Sequence, residues 1–120
     1  MALARELQSQ FSAQQVAGIQ GSNAQTVTAA GATQATATAI AAQQNVVTTA
    51  TLNQGVILPS GFSPGDDMDV VNLTTVNICV YPPVGAKLNG NTTNAPCIMA
   101  PNRQNTFINI DGTNWSCDSI

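Results

Sequence analysis

From Asn45 onward the chain is cut at short intervals by turn signals, and that punctuation limits what it can fold into. Between the cuts stand "NVVTTAT" (Asn45–Thr51), "GVILP" (Gly55–Pro59), "MDVVNLT" (Met68–Thr74), "VNICVYP" (Val76–Pro82), "CIMAP" (Cys97–Pro101), "TFINI" (Thr106–Ile110) and "NWSCDSI" (Asn114–Ile120). These runs are rich in β-branched residues or alternate apolar with polar. None has the length and apolar spacing of a helix. The cuts are the clusters "SGFSPGDD" and "NRQN", the Pro82-Pro83 pair and Asp111-Gly112, a dipeptide favoured in tight hairpin turns. Roughly six to eight strands in about 75 residues predict an all-β domain over 45–120, a small antiparallel β-barrel or jelly-roll-like sandwich. Its core is expected to hold Val46, Val56, Ile57, Leu58, Val70, Ile78, Val80, Phe107, Ile108 and Ile110, with Trp115 buried in part.

The first 44 residues read differently and are expected to form an N-terminal arm. "MALARELQSQFSAQQVAG" places Leu3, Leu7 and Phe11 at four-residue spacing with Val16 beyond, one apolar stripe on a short amphipathic helix ending near Gly18. With no second helix in the chain to bury it, the stripe needs a partner surface, since a short helix alone is marginal in water. The stretch that follows is uncharged and largely Ala, Thr, Gln and Gly. A flexible linker is one reading of such a composition. In "TQATATAI", however, alternation sets Thr33, Ala35, Ala37 and Ala39 on one face and Gln34, Thr36, Thr38 and Ile40 on the other. The favoured reading is an extended arm that becomes ordered against an assembly.

Charge separates the possible partners. Only 8% of residues are charged and the net charge is −3, against about a quarter charged in ordinary globular chains. A surface with so little charge is poorly protected against association, which points to burial in an oligomer or a larger assembly. Arg5, Lys87 and Arg103 are the only basic residues, too few and too scattered to neutralise phosphates, so no nucleic acid is expected as partner. No apolar run approaches the roughly 18 residues of a membrane span and no signal-peptide core is evident, so no membrane is expected either. Cys79, Cys97 and Cys117 are odd in number and are expected as thiols in a reducing compartment, acting as small buried hydrophobes.

The search for chemistry returns little. The chain has no histidine, and no CxxC to suggest zinc. "GIQGSNAQ" lacks the lysine and following Ser or Thr of a phosphate loop. Asp66, Asp67 and Asp69 could ligate calcium, with Asp67 and Asp69 on one face of a strand, but they fall where a Pro-Gly turn enters it and read as a solvated turn. The Asn-x-Ser/Thr triplets at Asn72, Asn91 and Asn114 read as chance products of an Asn- and Thr-rich chain. Tyr81 and Trp115 either stack on sugar rings as an exposed pair or cap the core, and the core is preferred. No catalytic residue, cofactor or metal site is expected, and the chain does not read as an enzyme.

The order of these segments nonetheless has a counterpart. "GATQATATAI", "NVVTTATLNQGVILP", "GDDMDVVNLT", "NICVYPPVGAKLNGNTTNAP", "NTFINI" and "NWSCDSI" follow one another from Gly31 to Ile120. This layout resembles that of capsid decoration (cement) proteins and short head fibres of tailed bacteriophages. Its sharpest parts are "TQATATAI", "NVVTT" and "VYPPVGAKLNG". The resemblance implies a homotrimer on the exterior of the virion, made in the host cytoplasm, whose partners are the major capsid protein and copies of itself. On that reading Leu3, Leu7, Phe11 and Val16, with Thr33, Ala35, Ala37 and Ile40 of the arm, contact the capsid. Asn91-Thr92 and "NRQN" depart from the pattern in loops where contacts would be made. Two alternatives stay open: a receptor- or glycan-binding fibre tip using Tyr81, Lys87, Asn89, Asn91 and Trp115, and a tail or neck component.

Overall fold

The computed structural model of the protein describes residues 24–118, and within them it is all-β. The strands are β1 (Ala24–Thr28), β2 (Thr38–Ala39), β3 (Gln44–Thr49), β4 (Gly55–Ile57), β5 (Asp67–Asn72), β6 (Ile78–Tyr81), β7 (Cys97–Met99), β8 (Arg103–Asn109) and β9 (Trp115–Cys117), with one 3-10 turn at Gln34–Thr36. They form a five-stranded sheet in the order β1-β3-β5-β8-β9 and a four-stranded sheet in the order β2-β4-β6-β7. Both sheets contribute to one core.

The pairing corrects the expected antiparallel topology. From β1 to β6 the chain alternates between sheets, and each strand pairs in parallel with the strand two further on: Ala24 with Gln44, Gln44 with Asp69, Thr38 with Val56, Gly55 with Cys79. Parallel neighbours need a crossover between them, and here the crossover is a strand of the opposite sheet. The chain therefore winds, coil upon coil, around its core. Between strands, antiparallel pairing is confined to β5–β8, β6–β7 and β8–β9, beside one isolated antiparallel bridge from Ala30 to Gly55, and the hairpin turn expected at Asp111-Gly112 does join β8 to β9. Neither sheet closes on itself, so there is no barrel among the described residues.

No break in the fold falls at residue 44. Residues 24–44 form the first coil, and Val27, Ala29, Ile40 and Ala42 are buried. The expected continuous strand over Thr33–Ile40 is instead a capped 3-10 turn, with Thr36 N–H bonded to the Thr33 carbonyl at 3.2 Å, followed by the two residues of β2. Gly31 starts this corner with φ +68°, and a Cβ there would collide with Thr36. Alternation of Ala and Thr carries little burial preference, so it did not specify a strand. The stripe Leu3, Leu7, Phe11 and Val16 lies outside the described residues.

Two runs face opposite to expectation. In β3, Asn45 and Val47 point inward and Val46 is half-buried outside; Ile57 is likewise half-buried. In "TFINI", Phe107 and Asn109 point inward, leaving Ile108 and Ile110 exposed. A strand slipped by one residue exchanges its faces, and the buried asparagines decide which face is inside. Asn45 accepts from Gln25 Nε2 (2.8 Å) and Ala42 N–H (3.2 Å), and donates to the Ala42 carbonyl at 2.8 Å. Asn72 donates to the carbonyls of Val76 (2.9 Å) and Met99 (3.1 Å), and accepts from the N–H (3.0 Å) and hydroxyl (2.7 Å) of Thr74. These amides satisfy corner backbone groups that would otherwise be buried unpaired. Val56, Leu58, Val70, Ile78, Val80 and Phe107 are buried as expected, and Trp115 is buried completely.

Candidate functional site

At one end of the sandwich three loops meet, 58–66, 82–96 and 110–114. Backbone bonds lock the first to the last: Gly65 N–H reaches the Asn109 carbonyl and Asn109 N–H the Asp66 carbonyl, both at 2.8 Å. The middle loop begins at Pro82-Pro83, which cannot donate to a sheet and end β6. Gly85, Asn89 and Gly90 then take positive φ, and the loop folds back so that Leu88 is buried and bridges Trp115. Trp115 N–H donates to the Lys87 carbonyl at 3.0 Å, and Asn89 N–H to the Trp115 carbonyl at 2.9 Å. Phe62 packs against the Trp115 ring, centroids 5.4 Å apart and tilted by 47°.

Between these loops lies a cavity of about 100 Å³ lined by Pro59, Ser60, Pro83, Val84, Ala86, Asn109, Gly112, Thr113 and Trp115. The Trp115 indole N–H is buried and has no hydrogen-bond partner. A shallower depression of about 210 Å³ lies over Ile98–Ala100 and Arg103–Asn105 on the β7–β8 side.

The structure separates the residues proposed for an exposed sugar platform. Trp115 is in the core. Tyr81 is 8% exposed, and its hydroxyl donates to the Ala32 carbonyl at 3.3 Å. Its ring lies over Gly55, where a Cβ would come within 2.7 Å of Tyr81 Cε2. Lys87, Asn89 and Asn91 are exposed on the middle loop, but the Asn89 side chain is occupied with the Cys117 N–H (2.9 Å) and carbonyl (3.2 Å). No aromatic face is therefore presented beside them. Of the residues proposed for capsid contact, Thr33 and Ala35 are exposed, Ala37 is half-buried, and Ile40 is 1% exposed inside the chain's own core. Leu3, Leu7, Phe11 and Val16 lie outside the described residues.

The carboxylates of Asp66, Asp67 and Asp69 are spent on local structure. Asp66 accepts from Ser63 N–H (3.1 Å), Asp67 from Gln43 Nε2 (3.1 Å), and Asp69 from the Thr106 hydroxyl (2.7 Å). As read from the sequence, Asp67 and Asp69 share the outer face of β5. Among the described residues no cluster of three or more Cys, Asp or Glu converges. The N–H groups of Asn114 and Thr113 hold the Asp111 carboxyl below its usual range. Burial pushes the Cys97 thiol up to about 12, with Cys117 beside it adding to the shift, and burial raises Cys79 as well. Neither thiol is a thiolate nucleophile at neutral pH.

Comparison with known protein-family models finds no match, and no curated protein matches the sequence. The geometry adds one feature that sequence reasoning did not find, the loop cavity with the unpartnered indole. The pair of prolines facing a glycine-rich loop was its only signal. The run "ICVY" is buried at every position, a strand covered on both faces.

Proposed function

We propose that this chain is a structural virion protein that binds the assembled capsid of a tailed bacteriophage as a trimer and reinforces it, in the manner of decoration proteins and short head fibres. The observation that carries this reading is the surface. Leu52, Leu73, Val84, Ile98, Ile108 and Ile110 stand 40–77% exposed, while Lys87 and Arg103 are the only basic residues among those described. Leu52 and Leu73 sit on adjoining turns at the end opposite the cavity, joined by the Asn53 N–H to Asn77 carbonyl bond at 2.9 Å. Apolar side chains on so uncharged a surface favour coverage by other protein. The burial of Tyr81 and Trp115 weighs against a sugar-stacking tip. Reinforcement follows from mass action, because a protein that binds only the assembled lattice stabilises it, and three linked copies strengthen the effect through avidity.

The test compares the full chain with a variant lacking residues 1–23, both sized by sedimentation and then mixed with undecorated capsids. The cut stops at 23 because 24–44 belong to the sheets. A full-length trimer that decorates shells, beside a trimeric truncation that does not, is the expected result. A monomer, or binding to host polysaccharide in place of capsid, overturns the reading.

A further inference from the structure

Two of the three thiols meet across the sandwich. Cys97 of β7 stands opposite Val80 and shares its inward face. From the other sheet, Cys117 of β9 stands opposite Phe107 and turns into the same core. Cys97 belongs to that core and Cys117 packs against it. One amide spans the pair: Asn105 gives its Nδ2 to the Cys97 sulfur at 3.8 Å, and its Oδ1 accepts the N–H of Asp118, the residue after Cys117, at 3.1 Å. The two sulfurs are close enough to share a hydrogen bond. Cys79 is set apart from them. It lies between Ile78 and Val80 on β6 and opposite the exposed Ile98, so its side chain leaves the sheet on the other face.

The pair differs in access. Cys97 is 0% exposed, whereas Cys117 is half-buried and its sulfur accepts from Asn89 Nδ2 at 3.4 Å, at the surface. A reagent in solution therefore needs to reach Cys117 alone, and Cys97 needs to reach only Cys117. We propose that Cys97 and Cys117 form a latent disulfide that ties β7 of one sheet to β9 of the other, closed by exchange with a small disulfide of the glutathione class. The Cys117 thiolate attacks one sulfur of that disulfide, forming a mixed disulfide and expelling one small thiolate. Cys97 then gives its proton to solvent and attacks the Cys117 sulfur, expelling the second. Two protein thiols are oxidised and the small disulfide is reduced to two thiols, so the balance needs no other reactant.

The tie falls where the sheets have least to hold them. β7 and β9 are three residues each, and each is the edge strand of its sheet. The bond would close only the loop from 97 to 117, and removing that loop's freedom from the unfolded chain is the usual source of disulfide stability. In a reducing thiol pool the pair stays open and the fold rests on its core alone. In an oxidising one it closes, and the last strand is fastened across the sandwich. Burial holds Cys97 protonated up to about pH 12, which keeps it from competing for the reagent and makes the closing step the slower one.

The test incubates the full-length protein with glutathione disulfide at about pH 8.5, beside Cys79→Ala and Cys97→Ala. Intact mass, peptide mapping without reductant and melting temperature are read. The unaltered chain and Cys79→Ala are each expected to lose two hydrogens and to yield a linked pair of peptides carrying Cys97 and Cys117. Their melting temperature is expected to rise by about 10 °C and to return on adding dithiothreitol. Cys97→Ala is expected to stop at glutathione on Cys117, the residue reached first. Glutathione retained on Cys117 of the unaltered chain, a link that includes Cys79, a link formed only in denaturant, or a linked protein that melts no higher overturns the proposal.

Discussion

Replacing Asn72 by alanine tests whether buried amides, more than apolar contacts, hold the coils in register. Asn72 is fully buried and donates to the carbonyls of Val76, Met99 and Ala100 at 2.9, 3.1 and 3.2 Å, and accepts from Thr74 at 3.0 and 2.7 Å. Asn72→Ala removes all five. The Thr74 hydroxyl keeps the Val76 carbonyl at 3.0 Å, and the half-buried Val76 and exposed Ala100 can draw in water, so two groups remain in real deficit: the Thr74 N–H and the Met99 carbonyl. At about 1–3 kcal/mol for each buried unsatisfied group, the net loss is about 2–6 kcal/mol. For a chain of this size about 4 °C of Tm corresponds to 1 kcal/mol, so the melting temperature falls by about 8–24 °C. Thermal denaturation followed by circular dichroism, at one matched protein concentration, reads the effect. Asn72→Asp sharpens it by aiming an oxygen at the same carbonyls. Its carboxyl is held above the unfolded value, so stability is lost as pH rises through the folded pKa and is recovered in acid. A loss below about 1 kcal/mol for Asn72→Ala would refute the view that the amide holds the corner.

Three further outcomes follow from the same geometry. Gly55→Ala places a Cβ 2.7 Å from Tyr81 Cε2 and is expected to cost about 1–3 kcal/mol by overpacking; in a double-mutant cycle with Tyr81→Ala most of that cost disappears, and additive costs would contradict the contact. Cys97, raised to about 12, stays protonated in the fold above the pH where an unfolded thiol ionises. Its contribution is therefore complete below about pH 9 and is lost toward pH 12, by at most about 1.4 kcal/mol per unit; urea midpoints at pH 7 and 10 check the fall. Deleting residues 1–23 is expected to leave a cooperatively folded unit, whereas deleting 1–44 removes β1, β2 and the buried Val27, Ala29, Ile40 and Ala42 and leaves a chain without dispersed amide resonances.

Strand content was legible because it is local. β-Branched runs favour extended backbone wherever they stand, and Pro82-Pro83, Asp111-Gly112 and the positive-φ glycines stop them wherever they fall. For the same reason the inward Val70, Ile78 and Val80 could be named from alternation, as could the shared face of Asp67 and Asp69. The low charge, with its implication of assembly, is likewise a property of composition and needs no fold.

What the tertiary structure alone decided is everything that depends on pairing. Whether "MDVVNLT" turns back on "VNICVYP" or crosses to another sheet is written in no single segment. It is settled by Asn72, whose amide bonds groups from two separate turns, and by the coil below, which offers β3 as a parallel neighbour. The inward face of "NVV" follows from Asn45 finding four partners inside, a gain larger than the burial of Val46 in place of Val47 could supply. The coil of residues 24–44 looked like an arm because Ala and Thr are nearly indifferent to burial, and only the neighbouring strands make Ile40 a core residue. Trp115, one of the two aromatics that the sequence marked as a candidate surface platform, is buried because the loop from Pro82 carries Leu88 back beneath it.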